Sequence, residues 1–298
     1  MTIPTISIVA SAPLGLAGCL YLDDLLKLAC ESCTEVIIVS ANPTDKLPPK
    51  YNKIRFITVP HTSAEGLVTA GVRIAGNDWV IVTEDHCLPL SGFLAAYRAA
   101  IATHPDIDLF AGAAEALTSN EPWELAVFMC GLADFVPGVK PRRNRVTNAN
   151  MMIRRSAIMP AELALDGGLQ NLTAYRLIAA GRMRKCHDAV VDHVVRLNRS
   201  QALSFLTSCT LESIDVAYAT HTPVPWYRML VKRCLAYLDL AALHPLRIIR
   251  QLGPTRFGGV GLSVRVTALG CGVAVAACAS DIRRFLTHRP HAPHTISS

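Results

Sequence analysis

Glu84, Asp85 and His86 follow directly on the apolar, β-branched run Trp79 to Thr83, and Cys87-Leu-Pro89 comes next. A buried strand that ends in two acids and an imidazole delivers ionisable groups to the rim of a sheet, where open α/β folds hold their ligands. Carboxylates suit hard divalent ions such as Mg2+ and Mn2+, while an imidazole biases a site toward Mn2+ or a softer metal. Such a cluster has the chemistry of a clamp for a metal-bound diphosphate. The same triplet also suits a solvated strand end with capping acids, and three residues alone do not decide between the two.

The elements that must position this triplet alternate along the chain. Strand patterns cover Ile6 to Val9, Glu35 to Val39, Ile54 to Val59, Trp79 to Thr83, Asp108 to Ala111, Asn148 to Ile153 and Ala189 to Val195. Helical spacing covers Leu22 to Ala29, Leu67 to Ala75, 91 to 103, Glu121 to Leu132 and Leu169 to Ala180, the last closed by Gly181. Repeated strand-helix-strand units predict an α/β fold, a mainly parallel sheet covered by helices.

Composition bounds the partners. Of 298 residues 51% are hydrophobic and 17% charged, and mean hydropathy is +0.32, which points to contact with a membrane or a partner. The 29 Lys+Arg against 23 Asp+Glu give +6, which fits anionic ligands or lipid head groups. No basic-aromatic stripe accompanies that charge, so no nucleic acid is expected. The 10 cysteines are scattered, and the Cys30/Cys33 pair reads as two small core residues in a reducing cytosol. Leu16-Ala-Gly-Cys19 has the look of a lipoprotein processing site, but the first Lys or Arg is Lys27, and a strand followed by a loop explains it.

Around the triplet the chain resembles the family 2 glycosyltransferases. Ile6 to Ala10 is similar to that family's opening strand, Glu35 to Val39 to its second, Ala64 to Gly71 to the helix before the metal strand, and Trp79 to Pro89 to its Asp-x-Asp-like segment followed by proline. Thr147 to Arg155 looks like its Asn-rich strand ending in Arg, Tyr175 to Gly181 like its Arg-Leu-x-x-x-Gly helix end, and Val190 to His193 like the strand whose histidine lies close to the site. The resemblance spans roughly the first two hundred residues. It implies a GT-A-like three-layer αβα sandwich with a mainly parallel sheet, and a nucleotide-sugar donor along Ala10, Ser40, Asn42, Glu84 and Asp85. It further implies Mn2+ or Mg2+ on Glu84, Asp85, His86 and His193, and an acceptor near Asn148, Asn150 and Arg154; Arg143, in the basic run before that strand, is a candidate phosphate contact on charge alone. His193 could equally be a diphosphate contact or a satisfied histidine at a strand end.

Two departures stand out. Where the family carries an acid pair after the second strand, this chain has Ser40-Ala-Asn42, which leaves base recognition to Ser40, Asn42 or backbone groups. Where a Glu-Asp pair supplies the family's general base, this chain has Leu169 and Gln170. Asp166, within Leu165-Asp-Gly-Gly-Leu169, is the expected base, with Asp192 as a second candidate; Asp-Gly is also a common turn pair. Lys140 to Arg145 carries four cations over six positions, suited to a diphosphate or lipid phosphate, or to a solvated face.

After residue 220 the composition shifts. Residues 221–288 read as a C-terminal helical segment, basic through Lys232, Arg233, Arg247 and Arg250 and then apolar from Val266 to Ser280, too short to span a bilayer and suited to its surface or to a core hairpin. Residues 289–298 read as a disordered tail. The expectation is an inverting, metal-dependent glycosyltransferase domain over 1–220, peripheral on the inner face of the cell membrane, with a lipid-linked or envelope glycan as acceptor. A non-catalytic binding or scaffold protein of the same fold and a nucleotidyltransferase are the rivals.

Overall fold

The computed structural model describes residues 3–31, 34–60, 62–117, 121–139, 145–164, 169–194, 198, 200–202, 206, 233–239, 243–252 and 260–287. The apolar runs of the first third become strands because each is bounded by turn residues. β1 (Ile6–Ala12), β2 (Thr34–Ser40), β3 (Ile54–Thr58) and β4 (Trp79–Glu84) pair in parallel in the order β3-β2-β1-β4. Of these, β1, β2 and β4 are buried over most of their length, while β3 at the sheet edge is buried only at Ile54. Every residue of β1 is buried, as a strand covered on both faces requires.

β5 (Cys87–Pro89), β6 (Leu109–Glu115), β7 (Asn150–Arg154) and β8 (Met183–His193) complete an eight-stranded sheet of order β3-β2-β1-β4-β7-β6-β8-β5. In this second half of the sheet two of the four strands, β7 and β5, reverse direction. β7 runs antiparallel to both β4 and β6, β6 runs parallel to β8, and β5 closes the edge antiparallel to β8. The result is a mixed, mostly parallel sheet with flanking helices, the expected α/β, GT-A-like arrangement. β8 starts six residues before the predicted strand, because Met183 to Asp188 is polar and carries no apolar run.

Helices α1 (Leu22–Ala29), α2 (Ala64–Ile74) and α3 (Phe93–Thr103) cover the sheet: α1 packs on β2 and β3, α2 on β1 and β2, and α3 on β8. Ser63 caps α2 by accepting the Gly66 N–H at 3.1 Å. Gly71 is required where α2 meets the sheet, since a Cβ there would collide with Val9 and Val39. Alanine at this position forces the layers apart and costs about 2 kcal/mol or more, read as a lower urea midpoint.

The chain divides into two compact units. The first comprises Met1–Thr118 and Asp134–Val194, the second Ser119–Ala133 and Val195–Ser298. In the second, α8 (Val260–Thr287) packs on α4 (Pro122–Leu132) and α7 (His244–Leu252). Phe128 and Met129 of α4, Ile248 and Ile249 of α7, and Val266 and Val273 of α8 are buried. No described helix is long and apolar enough to cross a membrane.

The predicted helix 169–180 is a π turn over Leu169–Thr173 followed by α6 (Ala174–Ala179), with the short α5 (Pro160–Leu163) before it. Glu162 of α5 binds this segment together. It accepts Arg176 Nε at 2.8 Å, Arg176 Nη2 at 2.9 Å, Thr173 Oγ1 at 2.7 Å and Met159 N at 3.0 Å. The Arg176 hydrogen bonds, opposed by burial and helped by Thr173 and Met159, hold the Glu162 carboxyl down at about 2, from an ordinary 4.5. A depressed carboxylate pKa stabilises the fold above the ordinary value and loses that contribution as pH falls toward 2. Glu162→Gln therefore lowers stability by about 2–3 kcal/mol at neutral pH, and its deficit relative to the parent shrinks in acid. A deficit independent of pH in urea melts would rule out the ion pair as its source.

Candidate metal centre

The backbone at the end of β4 brings the predicted histidines together. Asp85 N donates to Ser11 O at 2.9 Å and Leu20 N to Asp85 O at 3.1 Å, which pins the chain to the β1 loop as it turns into β5. β5 pairs with β8 so that Cys87 lies opposite His193, and Val194 N donates to His86 O at 3.0 Å. The His86 and His193 rings meet edge to face at 4.5 Å between centroids, with their Nε2 atoms 3.0 Å apart.

Glu84 Oε2 completes a triangle. It stands 3.3 Å from His86 Nε2 and 3.6 Å from His193 Nε2. Ligand atoms bound at about 2.1 Å to one ion, at angles near 90–110°, lie roughly 3.0–3.4 Å apart, so one divalent cation fits above these three atoms. Two imidazole nitrogens facing each other at 3.0 Å must share a proton or a cation. The Cys87 thiol lies beside them at 4.0 Å from Glu84 Oε2. Burial and the Glu84 carboxylate push that thiol well above its ordinary value.

The charges inside the cluster support each other. Burial raises the Glu84 carboxyl, but the His193 hydrogen bond and the charges of His86 and His193 outweigh it and the group titrates below its usual range. Burial lowers His86, but its hydrogen bond to Asp85 and the Glu84 and Asp85 carboxylates outweigh that and raise it.

Asp85 does not stand where it is expected. Along an extended chain residues i and i+2 share a face, so Glu84 and His86 converge while Asp85 points the other way and is 4% exposed. Its Oδ1 meets His86 Nδ1 at 2.8 Å, an arrangement that leaves Nε2 as the electron-pair donor. Its Oδ2 is buried with no hydrogen-bond partner among the described residues, and faces Gly18, where a Cβ would lie 3.1 Å away. Asp85 thus orients His86 instead of joining the triangle.

The residues expected on the donor side lie in or just after β1 and β2, toward the same carboxyl edge of the sheet. Ala10 is buried in β1 between Ile38 of β2 and Thr83 of β4. Ser40 and Asn42 both turn toward a residue the sequence reading passed over, Asp45. Ser40 Oγ donates to Asp45 Oδ2 at 2.6 Å, Asn42 Nδ2 to Oδ1 at 2.9 Å, and Leu16 N to Oδ2 at 2.6 Å. Gly15, at φ 81°, has no room for a Cβ beside that carboxylate. The available signal was the Asx turn Asn42-Pro-Thr-Asp45, in which Asn42 Oδ1 accepts Thr44 N at 3.1 Å and which lifts the next acid back over the end of β2.

Other expected residues stand apart. Asn148 is half-buried, and its Oδ1 has no hydrogen-bond partner among the described residues. Asn150 is fully buried: its Nδ2 donates to Ala113 O and Ala189 O, each at 2.8 Å, and its Oδ1 accepts Tyr97 OH at 2.5 Å. Those carbonyls flank the break where the β6–β8 register jumps from Gly112↔Cys186 to Ala113↔Val190, so the side chain replaces the ladder bonds lost there. Arg154 lies at the opposite end of the sheet, because β7 is antiparallel and pairs Arg154 with Trp79 and Asn150 with Thr83. There it donates to Asp108 at 2.8 Å and stacks over Trp79 at 4.5 Å. Asp192 is buried, with Oδ1 accepting Leu117 N at 2.8 Å. Asp166, Arg143 and the rest of the 140–144 loop lie outside the described residues, as do 221–232 and the tail from 288 onward.

No family model matches the chain, and no curated protein matches it in sequence. Solved structures do match in fold. A mannosyltransferase, PcManGT from Pyrobaculum calidifontis, in complex with GDP-Man and Mn2+, matches over 98% of this chain and 82% of that one at 13% identity and a TM-score of 0.51. Glucosyl-3-phosphoglycerate synthase from Mycobacterium tuberculosis, in complex with Mn2+ and UDP-glucose, matches over 70% of this chain and 77% of that one at 15% identity and a TM-score of 0.46. At such identities the likeness is one of fold, the GT-A-like sheet that carries Glu84, His86 and His193 on its carboxyl edge.

Proposed function

We propose that this chain is a Mn2+-dependent, inverting glycosyltransferase. It moves a sugar from a nucleotide-sugar donor to a hydroxyl of a lipid-linked or envelope glycan, at the inner face of the cell membrane. The observation that carries the reading is the convergence of Glu84 Oε2, His86 Nε2 and His193 Nε2 within 3.6 Å of one another at the carboxyl edge of the sheet. These three would hold Mn2+, which supplies positive charge to the leaving diphosphate. The two imidazoles favour it over Mg2+. Asp85 fixes the His86 ring, and Asp45, with Ser40, offers the nucleoside a carboxylate over β2 where the first acids are missing. Asp166 is the proposed base for the acceptor hydroxyl. The mannosyltransferase of similar fold was solved with GDP-Man and Mn2+, which accords with this reading.

A second reading, a nucleotide-binding module without turnover, is favoured by Leu169, buried at 2% exposure where the family carries an acid. Thermal melts with UDP, GDP, dTDP and CDP, each with and without Mn2+, test the first step. One nucleotide is expected to raise the melting temperature only when Mn2+ is present, through the roughly 2.7 kcal/mol of stability that a ligand at a hundred times its Kd contributes. Absence of any metal-dependent shift would overturn the transferase. A shift without donor hydrolysis or transfer would favour the module.

A further inference from the structure

We infer that Cys87 is a fourth ligand of this centre, which lets the same pocket hold Zn2+ in a closed tetrahedral shell that excludes the diphosphate. The coordination stands on the residues alone; its consequence, that Zn2+ blocks sugar transfer, rests on the reading proposed above. Glu84 closes β4 and Cys87 opens β5, with Asp85 and His86 as the turn between them. Cys87 and His193 are directly opposed in an antiparallel pair, which puts both side chains on one face of the sheet. The Glu84, His86, Cys87 and His193 ligand atoms accordingly lie within 4.8 Å of one another. Ligand atoms on one tetrahedral Zn2+, at about 2.0–2.1 Å for nitrogen and oxygen and about 2.3 Å for sulfur, stand roughly 3.3–3.6 Å apart. The thiol, 4.0 Å from Glu84 Oε2, reaches that separation by a swing of about an ångström.

A buried cysteine is ordinarily a small hydrophobe, but Cys87, 2% exposed, is set beside a carboxylate and two imidazoles. A thiol in that company adds soft-ligand character, and a set of one sulfur, two imidazole nitrogens and one oxygen selects Zn2+ over Mn2+ and Mg2+. Charge separates the roles of the two ions. Zn2+ with the Glu84 carboxylate, a Cys87 thiolate and two neutral imidazoles sums to zero, which suits a site half removed from water. The thiol proton passes to solvent as the Zn–S bond forms. Mn2+ on Glu84 and the imidazoles, with the thiol left protonated, keeps one positive charge for the diphosphate. Four protein ligands fill a tetrahedral Zn2+ shell, as in structural zinc sites, while three leave room for substrate oxygens. Cys87 thus decides whether the centre is open or shut.

The test uses the full chain loaded with one equivalent of Zn2+. X-ray absorption at the zinc edge is expected to show one sulfur at about 2.3 Å and three nitrogen or oxygen neighbours at about 2.0–2.1 Å. Cys87→Ser and Cys87→Ala are expected to lose the sulfur neighbour. Their Zn2+ affinity, measured against a chromophoric chelator, should fall about a hundredfold or more, beyond what a change outside the ligand set costs. Their Mn2+ affinity should stay within about twofold of the parent, since sulfur is a poor ligand for that ion. Melting curves of the metal-free variants check that each is folded, and the parent spectrum tests the ligand without any variant. In the parent, one equivalent of Zn2+ is expected to abolish the Mn2+-dependent nucleotide shift. A Zn2+-loaded parent without a sulfur neighbour, or a sulfur that survives in both variants, overturns Cys87 as a ligand and leaves the Mn2+ triangle standing. Protein that binds neither Zn2+ nor Mn2+ overturns the centre as a whole. A sulfur neighbour together with an undiminished nucleotide shift keeps the ligand and overturns the block on transfer. A sulfur neighbour in a protein with no nucleotide shift under any metal keeps the ligand and removes the transferase.

Discussion

Glu84→Ala is expected to abolish the Mn2+-dependent nucleotide shift and to lower transfer roughly a thousandfold or more, because the only carboxylate among the three converging atoms is gone. The same change leaves two imidazoles 3.0 Å apart with no anion between them, so a cation at that point loses its charge partner. Titration of Mn2+ followed by loss of the free-ion paramagnetic resonance signal reads binding without reference to turnover. Full binding by Glu84→Ala would remove the triangle as the metal site. His193→Ala is expected to act in the same way. Asp85→Asn should be milder, about 10–100-fold in metal affinity, since it disturbs the ring that binds and not the binding atom. An Asp85 variant as damaged as Glu84→Ala would restore that residue to the ligand set.

The largest effect on stability is expected at Asn150. Its amide satisfies two carbonyls and a tyrosine hydroxyl at a site of zero exposure, and alanine would strand all three. A buried unsatisfied group costs about 1–3 kcal/mol, so a loss of roughly 3–5 kcal/mol is expected in urea unfolding. Gly112→Ala should do comparable harm, because a Cβ there collides with the Asn150 amide itself. If Asn150→Ala instead melted like the parent and only weakened the acceptor, the acceptor role suggested by the family resemblance would stand.

Those two sites show what the sequence could and could not convey. β1 to β4 were legible because each is an apolar run closed by turn residues, and the metal candidates Glu84, His86 and His193 were legible because ionisable groups stood where such runs end. Asp85 was grouped with them as a triplet, although the alternation of an extended chain places it on the other face. Asn150 and Arg154 belong to one sequence motif, yet β7 runs antiparallel, which leaves the first in the core and carries the second to the far edge. Strand direction is a tertiary property with no signature inside the strand. Asp45 was missed because its part depends on a turn that folds the chain back, and the first half of β8 because Met183 to Asp188 is held by its neighbours and not by its own hydrophobicity.

The break in the β6–β8 ladder bears on how this sheet could change over time. Residues 183–186 answer to Leu109–Gly112, and 190–193 to Ala113–Glu115 and to β5, with His187, Asp188 and Ala189 between them belonging to neither register. Ala189, held by Asn150, closes that interval, so length changes at His187 and Asp188 need not rotate His193 away from His86. A strand built in this way lets its first half diverge while the half that carries His193 is kept.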